Sequence, residues 1–366
     1  MQYRTLPHGG EQISVVGVGS GSLHNADAVQ IERIADAAVE AGVNLFDFVA
    51  SKAAPLAPLA RALHRHRADV HIQVHIGAEY TSGDYGWTTD AALAQREFEA
   101  RLQLLGTDYA DFGFIHCIDE DTDLDRVMNG GIWDYALRRR ADGTIRHLAF
   151  STHSVRIARR LLATGEMDFA MFSINPMYDY TDESEYGRGA ADDRLALYRE
   201  FEHAGVGVSV MKAFAGGQLL DGALSPFGQA LTRAQCIQYA LDKPGVLSVL
   251  PGIRSEQDLI DVLAALDATP AERDYSVLGT LAPNASAQAS CVYCNHCQPC
   301  SAGIPIGLAN KYYDLARLGD ELAVDHYRTL SAHASDCTAC GHCDARCPFG
   351  VAQSERMAEI AEWFGE

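Results

Sequence analysis

The sequence predicts an α/β protein: a (β/α)8 barrel of the TIM type followed by a small, mainly helical C-terminal domain. Three observations support this fold class. Through the first three quarters of the chain, short apolar or β-branched runs alternate with amphipathic stretches of helical periodicity. Eight such units within about 250 residues are typical of a closed barrel of parallel strands. The last quarter instead carries eight of the ten cysteines, in two short clusters.

The strands of the barrel are predicted where the apolar runs lie, after an opening hairpin that turns at Gly9-Gly10. Gly42, Gly106 and Gly165 stand where helix ends need a residue with positive φ. A doubly wound open sheet is the competing fold, but "GVGSGSLHN" matches its glycine-rich fingerprint poorly. The eight predicted strands are Val15–Val18, Val43–Phe48, Val70–Ile76, Tyr109–His116, Ile145–Ser151, Asp168–Ile174, Val206–Met211 and Val246–Leu250.

The cysteine clusters predict two [4Fe–4S] clusters. The second run, "CTACGHCDARCP", has the spacing C-x2-C-x2-C-x3-C followed by Pro348, which is the bacterial ferredoxin pattern with crossed ligation. Zinc sites and disulfides are the alternatives, but zinc ligands usually come as two separated pairs. Cys117 and Cys236 lie outside the clusters and are expected to be buried apolar residues. The expected ligands are Cys291, Cys294, Cys297 and Cys347 for one cluster, and Cys300, Cys337, Cys340 and Cys343 for the other.

These patterns divide the chain into three predicted segments. The barrel occupies residues 1–275, an Ala-, Ser- and Asn-rich linker occupies 276–290, and a ferredoxin-like domain occupies 291–366. Two helices are expected between the cysteine runs, and a terminal helix is expected in "SERMAEIAEWFG".

Charge and hydropathy exclude some partners. The net charge of −20 disfavours binding to nucleic acid or anionic membranes, because both would repel an acidic surface. No apolar run approaches the length that crosses a bilayer. With no secretory signal and with clustered thiols, the expected location is the cytoplasm.

Polar residues follow most of the predicted strands. Barrel enzymes place their chemistry at the carboxyl ends of the strands, so these residues are candidates for an active site. Two of the four lysines, Lys52 and Lys212, lie at this rim. The other rim candidates are Ser20, Ser22, His24, Asp47, His75, Glu79, Tyr80, His116, Asp119, Ser151, His153, Asn175, Tyr178 and Arg254.

Several motifs in order resemble the aldo-keto reductases, specifically the branch with a C-terminal two-cluster extension. The motifs are "AGVNLFDF", "LQLLGTDYADFGFIHCID", "ADGTIRHLAFST", "GVSVMKAFAGGQLL", "LPGIRSEQDL" and the cysteine tail. The resemblance implies a catalytic Asp, Tyr, Lys and His. The aspartate and histidine fall on Asp47 and His116, but Lys52 stands at the tyrosine position and His75 at the lysine position.

The resemblance also implies NADP. The residues that contact the nicotinamide in the family are mostly replaced here, by Thr152, Met171 and Ile174, whereas the phosphate end is better retained. A glycine, an arginine and a serine at a helix N-terminus suit an anion. The candidate cofactor residues are Ser151, Lys212, Gly252, Arg254, Ser255 and Gln257.

The expected function is an oxidoreductase acting on a small carbonyl or hydroxyl substrate, with electrons passing through the clusters to or from a partner protein. Lys52 and His75 would transfer protons, Asp47 would orient Lys52, and His116 would polarise the substrate oxygen. One alternative is a lyase or isomerase in which Lys52 acts as a base or forms an imine and the clusters are structural. Others are a metal-dependent barrel using His24, His75, His116 and Asp47, and a non-catalytic redox or binding protein.

Overall fold

A hairpin begins the chain in the computed structural model, which describes residues 1–180, 186–279, 291, 297–317, 321–347 and 351–366. Strands β1 (Tyr3–Thr5) and β2 (Gln12–Ser14) pair antiparallel, with Tyr3 opposite Ser14. The glycines of the turn have φ of 139° and 90°, a region that L side chains rarely adopt. The predicted hairpin is confirmed.

Eight parallel strands form the barrel within the described residues. They hydrogen-bond in chain order, and a parallel bridge between Val16 and Val249 closes the ring, since Gly17 N donates to Val249 O at 2.9 Å. The predicted α/β barrel is therefore confirmed. The strands are β3 (Val18–Gly19), β4 (Leu45–Asp47), β5 (His71–Ile76), β8 (Ala110–Ile115), β9 (Ile145–Thr152), β10 (Phe169–Ser173), β11 (Gly207–Met211) and β12 (Val246–Val249). A short hairpin of β6 (Ala78–Glu79) and β7 (Gly86–Trp87) extends from β5.

Amphipathic helices surround the barrel. In the first, Asp27 and Gln30 form a capping box, and Ile31, Ile34 and Ala38 face the core. Gly42, Gly106 and Gly165 have φ of 86°, 64° and 70°, as predicted for helix ends. The helices of this part are α1 (Ala28–Glu40), α2 (Leu56–Arg65), α3 (Ala91–Leu105), α4 (Asp121–Asn129), α5 (Ile132–Ala141), α6 (Val155–Leu162), α7 (Pro176–Tyr180), α8 (Ala191–His203), α9 (Arg233–Leu241), α10 (Glu256–Leu266) and α11 (Pro270–Arg273).

Aromatic side chains fill the barrel interior. Phe112 and Phe169 stack with their ring centroids 4.5 Å apart, and Leu6 and Ile13 of the opening hairpin pack into the same cluster. At the other end of this core, Phe114 stacks on His75 with centroids 4.7 Å apart. Side chains thus fill the barrel interior, and barrel enzymes bind their ligands at the rim formed by the carboxyl ends of the strands.

The C-terminal part is helical and has its own hydrophobic cluster. Its helices are α12 (Ile306–Arg317), α13 (Glu321–Arg328), α14 (His342–Arg346) and α15 (Gln353–Phe364), so the predicted helices between and after the cysteine runs are confirmed. A 3-10 helix, Ser276–Gly279, places Leu278 in the barrel core. Barrel packing thus continues past residue 275, and the rest of the predicted linker, 280–290, lies outside the described residues.

No helix among the described segments combines the length and the apolar character that a bilayer span needs.

A buried ion pair joins α7 and α8. Arg194 Nε contacts Asp179 Oδ1 at 2.9 Å, and the side chains are 0% and 1% exposed. Tyr198 and Tyr239 donate their hydroxyl protons to the same carboxylate, at 2.6 and 2.8 Å. Removing one member of such a pair leaves an uncompensated charge in the protein interior.

Replacing Arg194 with Met is therefore expected to lower the free energy of unfolding of the barrel by about 3–5 kcal/mol, because Asp179 would remain buried without its cation. Urea unfolding followed by circular dichroism measures the change. Arg126→Met is the control: its pair with Asp123 is largely exposed on the arginine side, so the expected loss is below about 1 kcal/mol. Equal losses in the two variants would contradict this account.

Candidate functional site

A chain of hydrogen bonds links four side chains at the barrel rim. Asp47 ends β4, His75 lies in β5, and His116 directly follows β8. Asp47 Oδ1 lies 2.8 Å from His75 Nε2, and His75 Nδ1 lies 2.7 Å from His116 Nδ1. His116 Nε2 then lies 2.6 Å from the hydroxyl of Tyr85. We call this series Asp47–His75–His116–Tyr85 the relay.

The relay fixes its own proton positions when both rings are neutral. A carboxylate only accepts, so His75 Nε2–H donates to Asp47. His75 Nδ1 is then an acceptor, and His116 Nδ1–H must donate to it. His116 Nε2 is left as an acceptor, so the Tyr85 hydroxyl donates to His116. Each link thus determines the next.

Burial favours the uncharged forms of the last two groups. Desolvation lowers the pKa of His116 well below its ordinary value, and the neighbouring His75 lowers it further. Desolvation raises the pKa of Tyr85, so its phenol stays protonated. The exposed fractions of Asp47, His75 and His116 are 5%, 2% and 7%, so bulk water has little access to this chain of bonds.

Tyr85 enters the site beside the position that the family resemblance gives to its tyrosine. Tyr85 N donates to Ser51 O at 3.1 Å, and Ala53 N donates to Gly83 O at 2.9 Å, so residues 83–85 run antiparallel to 51–53. Sequence reasoning selected Tyr80 and missed Tyr85, because nothing in a loop sequence indicates which tyrosine turns inward. Tyr80 instead exchanges hydrogen bonds of 2.8 Å with the backbone of Ala50.

Lys52 lies at the rim but does not pair with Asp47. Its Nζ lies 3.9 Å from Asp325 Oδ2 in the C-terminal part, and its side chain is 35% exposed. The expectation that Asp47 orients Lys52 is therefore corrected. The physical reason is that the Asp47 carboxylate turns to the adjacent strand, where His75 binds it, while Lys52 lies five residues further on in the loop.

A 340 Å3 cleft opens between the ends of the last two strands and the first. It brings together three of the predicted cofactor residues, Lys212, Gly252 and Arg254. Ser255 caps α10, where its Oγ accepts from Asp258 N at 3.2 Å, and Gln257 donates to Asp261 at 2.8 Å.

Ser151 plays a different structural part from the other predicted cofactor residues. It is buried, and its Oγ accepts from Cys117 N at 2.7 Å.

The N-terminus of α10 already has a side-chain carboxylate as a cap, because Asp258 accepts from Arg254 N at 3.0 Å. An anion in the cleft would therefore be held by the side chains of Lys212 and Arg254 more than by the helix N-terminus.

Five of the predicted cluster cysteines line one small cavity in the C-terminal part. Apolar side chains such as Ile304 and Met357 and the polar side chains of Ser301, Thr338 and His342 also line it. The five are Cys297, Cys300, Cys337, Cys340 and Cys343, which include all four thiols predicted for one of the two clusters. Cys291 packs against the barrel core, and Cys347 follows α14. Cys294 lies outside the described residues.

Comparison with known proteins agrees with the barrel geometry. Residues 15–226 match the aldo/keto reductase family. An aldo-keto reductase from Bacillus halodurans in its holo form is 21% identical, with a TM-score of 0.63 over 77% of this chain and 96% of that chain. An aldo/keto reductase from Klebsiella pneumoniae, solved with NADP and acetate, is 19% identical, with a TM-score of 0.55 over 77% and 96%. At these identities the structures show the shared fold alone. No curated protein matches the chain.

Proposed function

The chain belongs to the aldo/keto reductase family, and from this premise we propose that it is an oxidoreductase that interconverts a small carbonyl compound and its alcohol at the barrel rim. The observation that carries this proposal is the relay, because it provides a buried path for one proton that ends at the hydroxyl of Tyr85. Carbonyl reduction requires one proton at the substrate oxygen, and alcohol oxidation removes one.

The relay is poised to take up a proton in the neutral state described above. In the oxidation direction the substrate hydroxyl gives its proton to the Tyr85 oxygen as Tyr85 gives its own to His116 Nε2. His116 passes its Nδ1 proton to His75 Nδ1. His75 then carries protons on both nitrogens, and Asp47 stabilises this cation through its 2.8 Å hydrogen bond. Carbonyl reduction runs the same transfers in reverse.

This arrangement replaces the catalytic pair that the family resemblance implies. A lysine ammonium would hold a permanent charge next to the tyrosine, whereas an imidazole can accept and release the relayed proton. Burial of the relay stops water from competing for that proton. Asp47, His75 and His116 therefore keep catalytic roles in this proposal. Tyr85 contacts the substrate, and Lys52 contributes to the contact with the C-terminal part.

The cleft beside the rim fits NADP. Lys212 and Arg254 supply cations for phosphate groups, and Gly252, Gly216 and Gly217 leave room for a ligand to approach the backbone. When bound, the nicotinamide supplies or accepts the hydride. Ser255 and Gln257 adjoin this phosphate end. Ser151 lies on β9, away from the cleft, where the family resemblance expects contacts to the nicotinamide.

We propose also that the cysteines bind two [4Fe–4S] clusters. Five thiols around one cavity, with Ile304 and Met357 beside them, match the soft donor set that iron–sulfur cubes need. The second cluster would draw on Cys291, Cys294, Cys297 and Cys347. When bound, the clusters supply one-electron transfer to or from a partner protein. Such thiolate centres suit a reducing compartment such as the cytoplasm.

Replacing Tyr85 with Phe is expected to lower kcat for NADPH-dependent reduction of 4-nitrobenzaldehyde by about 10²–10⁴-fold with little change in KM, because the variant loses its proton donor. Steady-state kinetics of the anaerobically purified chain measures the effect. Tyr80→Phe is the matched control and stays within a few-fold of the wild type, as does Lys52→Met.

Equal activity of the Tyr85 and Tyr80 variants would show that the relay does not deliver the proton. A large loss in the Lys52 variant would assign that step to Lys52. A wild-type chain inert toward small aldehydes and alcohols with either nicotinamide would overturn the oxidoreductase proposal itself.

Quantification of iron and sulfide in the anaerobic protein is expected to give about eight of each per chain, the content of two cubes. Cys337→Ala is expected to lower both to about four, because it removes a ligand of one cube. Cys236→Ala, a buried thiol on α9, keeps the full content. Iron-free protein loaded with zinc would contradict the cluster proposal.

A further inference from the structure

A second group of side chains lies at the rim beside the relay. Cys117 and Asp119 follow β8, and His153 follows the neighbouring strand β9. One ligating atom of each residue lies within 4.8 Å of those of the other two. Among the described residues, this group alone brings together three such donors that closely. The relay does not use any of the three.

Asp119 is held rigidly by hydrogen bonds. Its Oδ1 accepts from Thr152 Oγ1 at 2.9 Å and from the His153 amide at 2.6 Å. The carboxylate is therefore fixed in place, before any ligand binds, by Thr152 at the end of β9 and by His153 directly after it.

The two ring nitrogens of His153 differ in their contacts. Its Nδ1 lies 2.8 Å from Asp119 Oδ2, but its Nε2 is buried and has no hydrogen-bond partner within the part of the chain that the structure describes. The residue is 5% exposed. A buried polar atom left in this state costs free energy, which a bound ligand would recover.

Cys117 is held in an uncommon backbone conformation. Its φ is 47°, in the left-handed region that residues other than glycine seldom adopt. The hydrogen bond from its amide to Ser151 Oγ, 2.7 Å long, secures this conformation. Strained backbone of this kind persists where the fold must direct a side chain to a particular place.

We propose that Cys117, Asp119 and His153 bind a divalent transition-metal ion such as Zn2+. Thiolate, carboxylate and imidazole are the three donor types that zinc takes in proteins. Three protein donors leave an open coordination position, which is the usual form of a catalytic site and not of a structural one. A carboxylate bonded to an imidazole that binds metal is also the common way to orient such a ring. This site is separate from the C-terminal cysteine clusters and does not depend on them.

The site adjoins the relay through the chain itself. Cys117 directly follows His116, and the charges of Asp119 and His153 both act on His116. An ion bound here would therefore lie next to the imidazole that exchanges a proton with Tyr85. Its charge would polarise a substrate oxygen bound in the same region, which is the role of a Lewis acid.

Equilibrium dialysis of the anaerobically purified full chain against Zn2+, after removal of loosely bound metal, tests the proposal. The wild type is expected to bind one zinc ion per chain. Cys117→Ser and His153→Gln are each expected to bind zinc with an affinity at least tenfold lower. Cys236→Ser is the control for loss of a thiol elsewhere and binds like the wild type. Iron content and circular dichroism, measured on each variant, show whether the fold and the clusters persist.

Zinc X-ray absorption of the wild type gives a readout that does not depend on the variants. The expected shell has one sulfur at about 2.3 Å and nitrogen or oxygen donors at about 2.0–2.2 Å. A shell of four sulfurs would place the ion among the C-terminal cysteines and overturn the proposal. Failure to bind zinc, or equal binding by the wild type and both site variants, would overturn it as well. Neither readout requires activity, so the proposed reductase function is tested separately.

Discussion

The hydrogen bond between Asp47 and His75 sets the chemistry of the barrel rim. Because the carboxylate only accepts, it fixes the proton of His75 on Nε2, and this choice determines the donor and acceptor at His116 and at Tyr85. The same bond stabilises a proton that enters at Tyr85 and reaches His75, because the resulting His75 imidazolium lies against the Asp47 carboxylate. Without it, a charged ring in this buried position would lack compensation.

The fold brings these groups together by strand order. β4, β5 and β8 are neighbours in the parallel sheet, so residues at their carboxyl ends lie side by side. The packed interior supports these groups, because Phe114 stacks on His75. Trp87, in the hairpin of β6 and β7, donates a hydrogen bond of 3.0 Å to the His116 carbonyl. The C-terminal helices cover part of the same rim. Lys52 pairs with Asp325, and Lys311 of α12 lies over the ring of Tyr186.

The barrel and three members of the relay could be predicted from the sequence, because periodic apolar runs locate strands and strand ends locate a barrel site. The direction of side chains within loops could not be predicted from the sequence. Tyr85 reaches the site only because residues 83–85 pair with 51–53, a contact between loops that no periodicity records. For the same reason Lys52 looked like a partner of Asp47. The group of Cys117, Asp119 and His153 also depends on a positive φ and on adjacent strand ends, which become visible only in three dimensions.

The most direct test of the relay is the position of its ring protons. Nitrogen-15 NMR of the chain labelled at histidine, with His75→Gln and His116→Gln spectra to assign the signals, reports which ring nitrogen carries hydrogen. The relay requires a proton on Nε2 of His75 and on Nδ1 of His116, and Asp47→Asn is expected to disturb both. A proton on Nδ1 of His75, or a His116 ring unaffected by the change at Asp47, would contradict it.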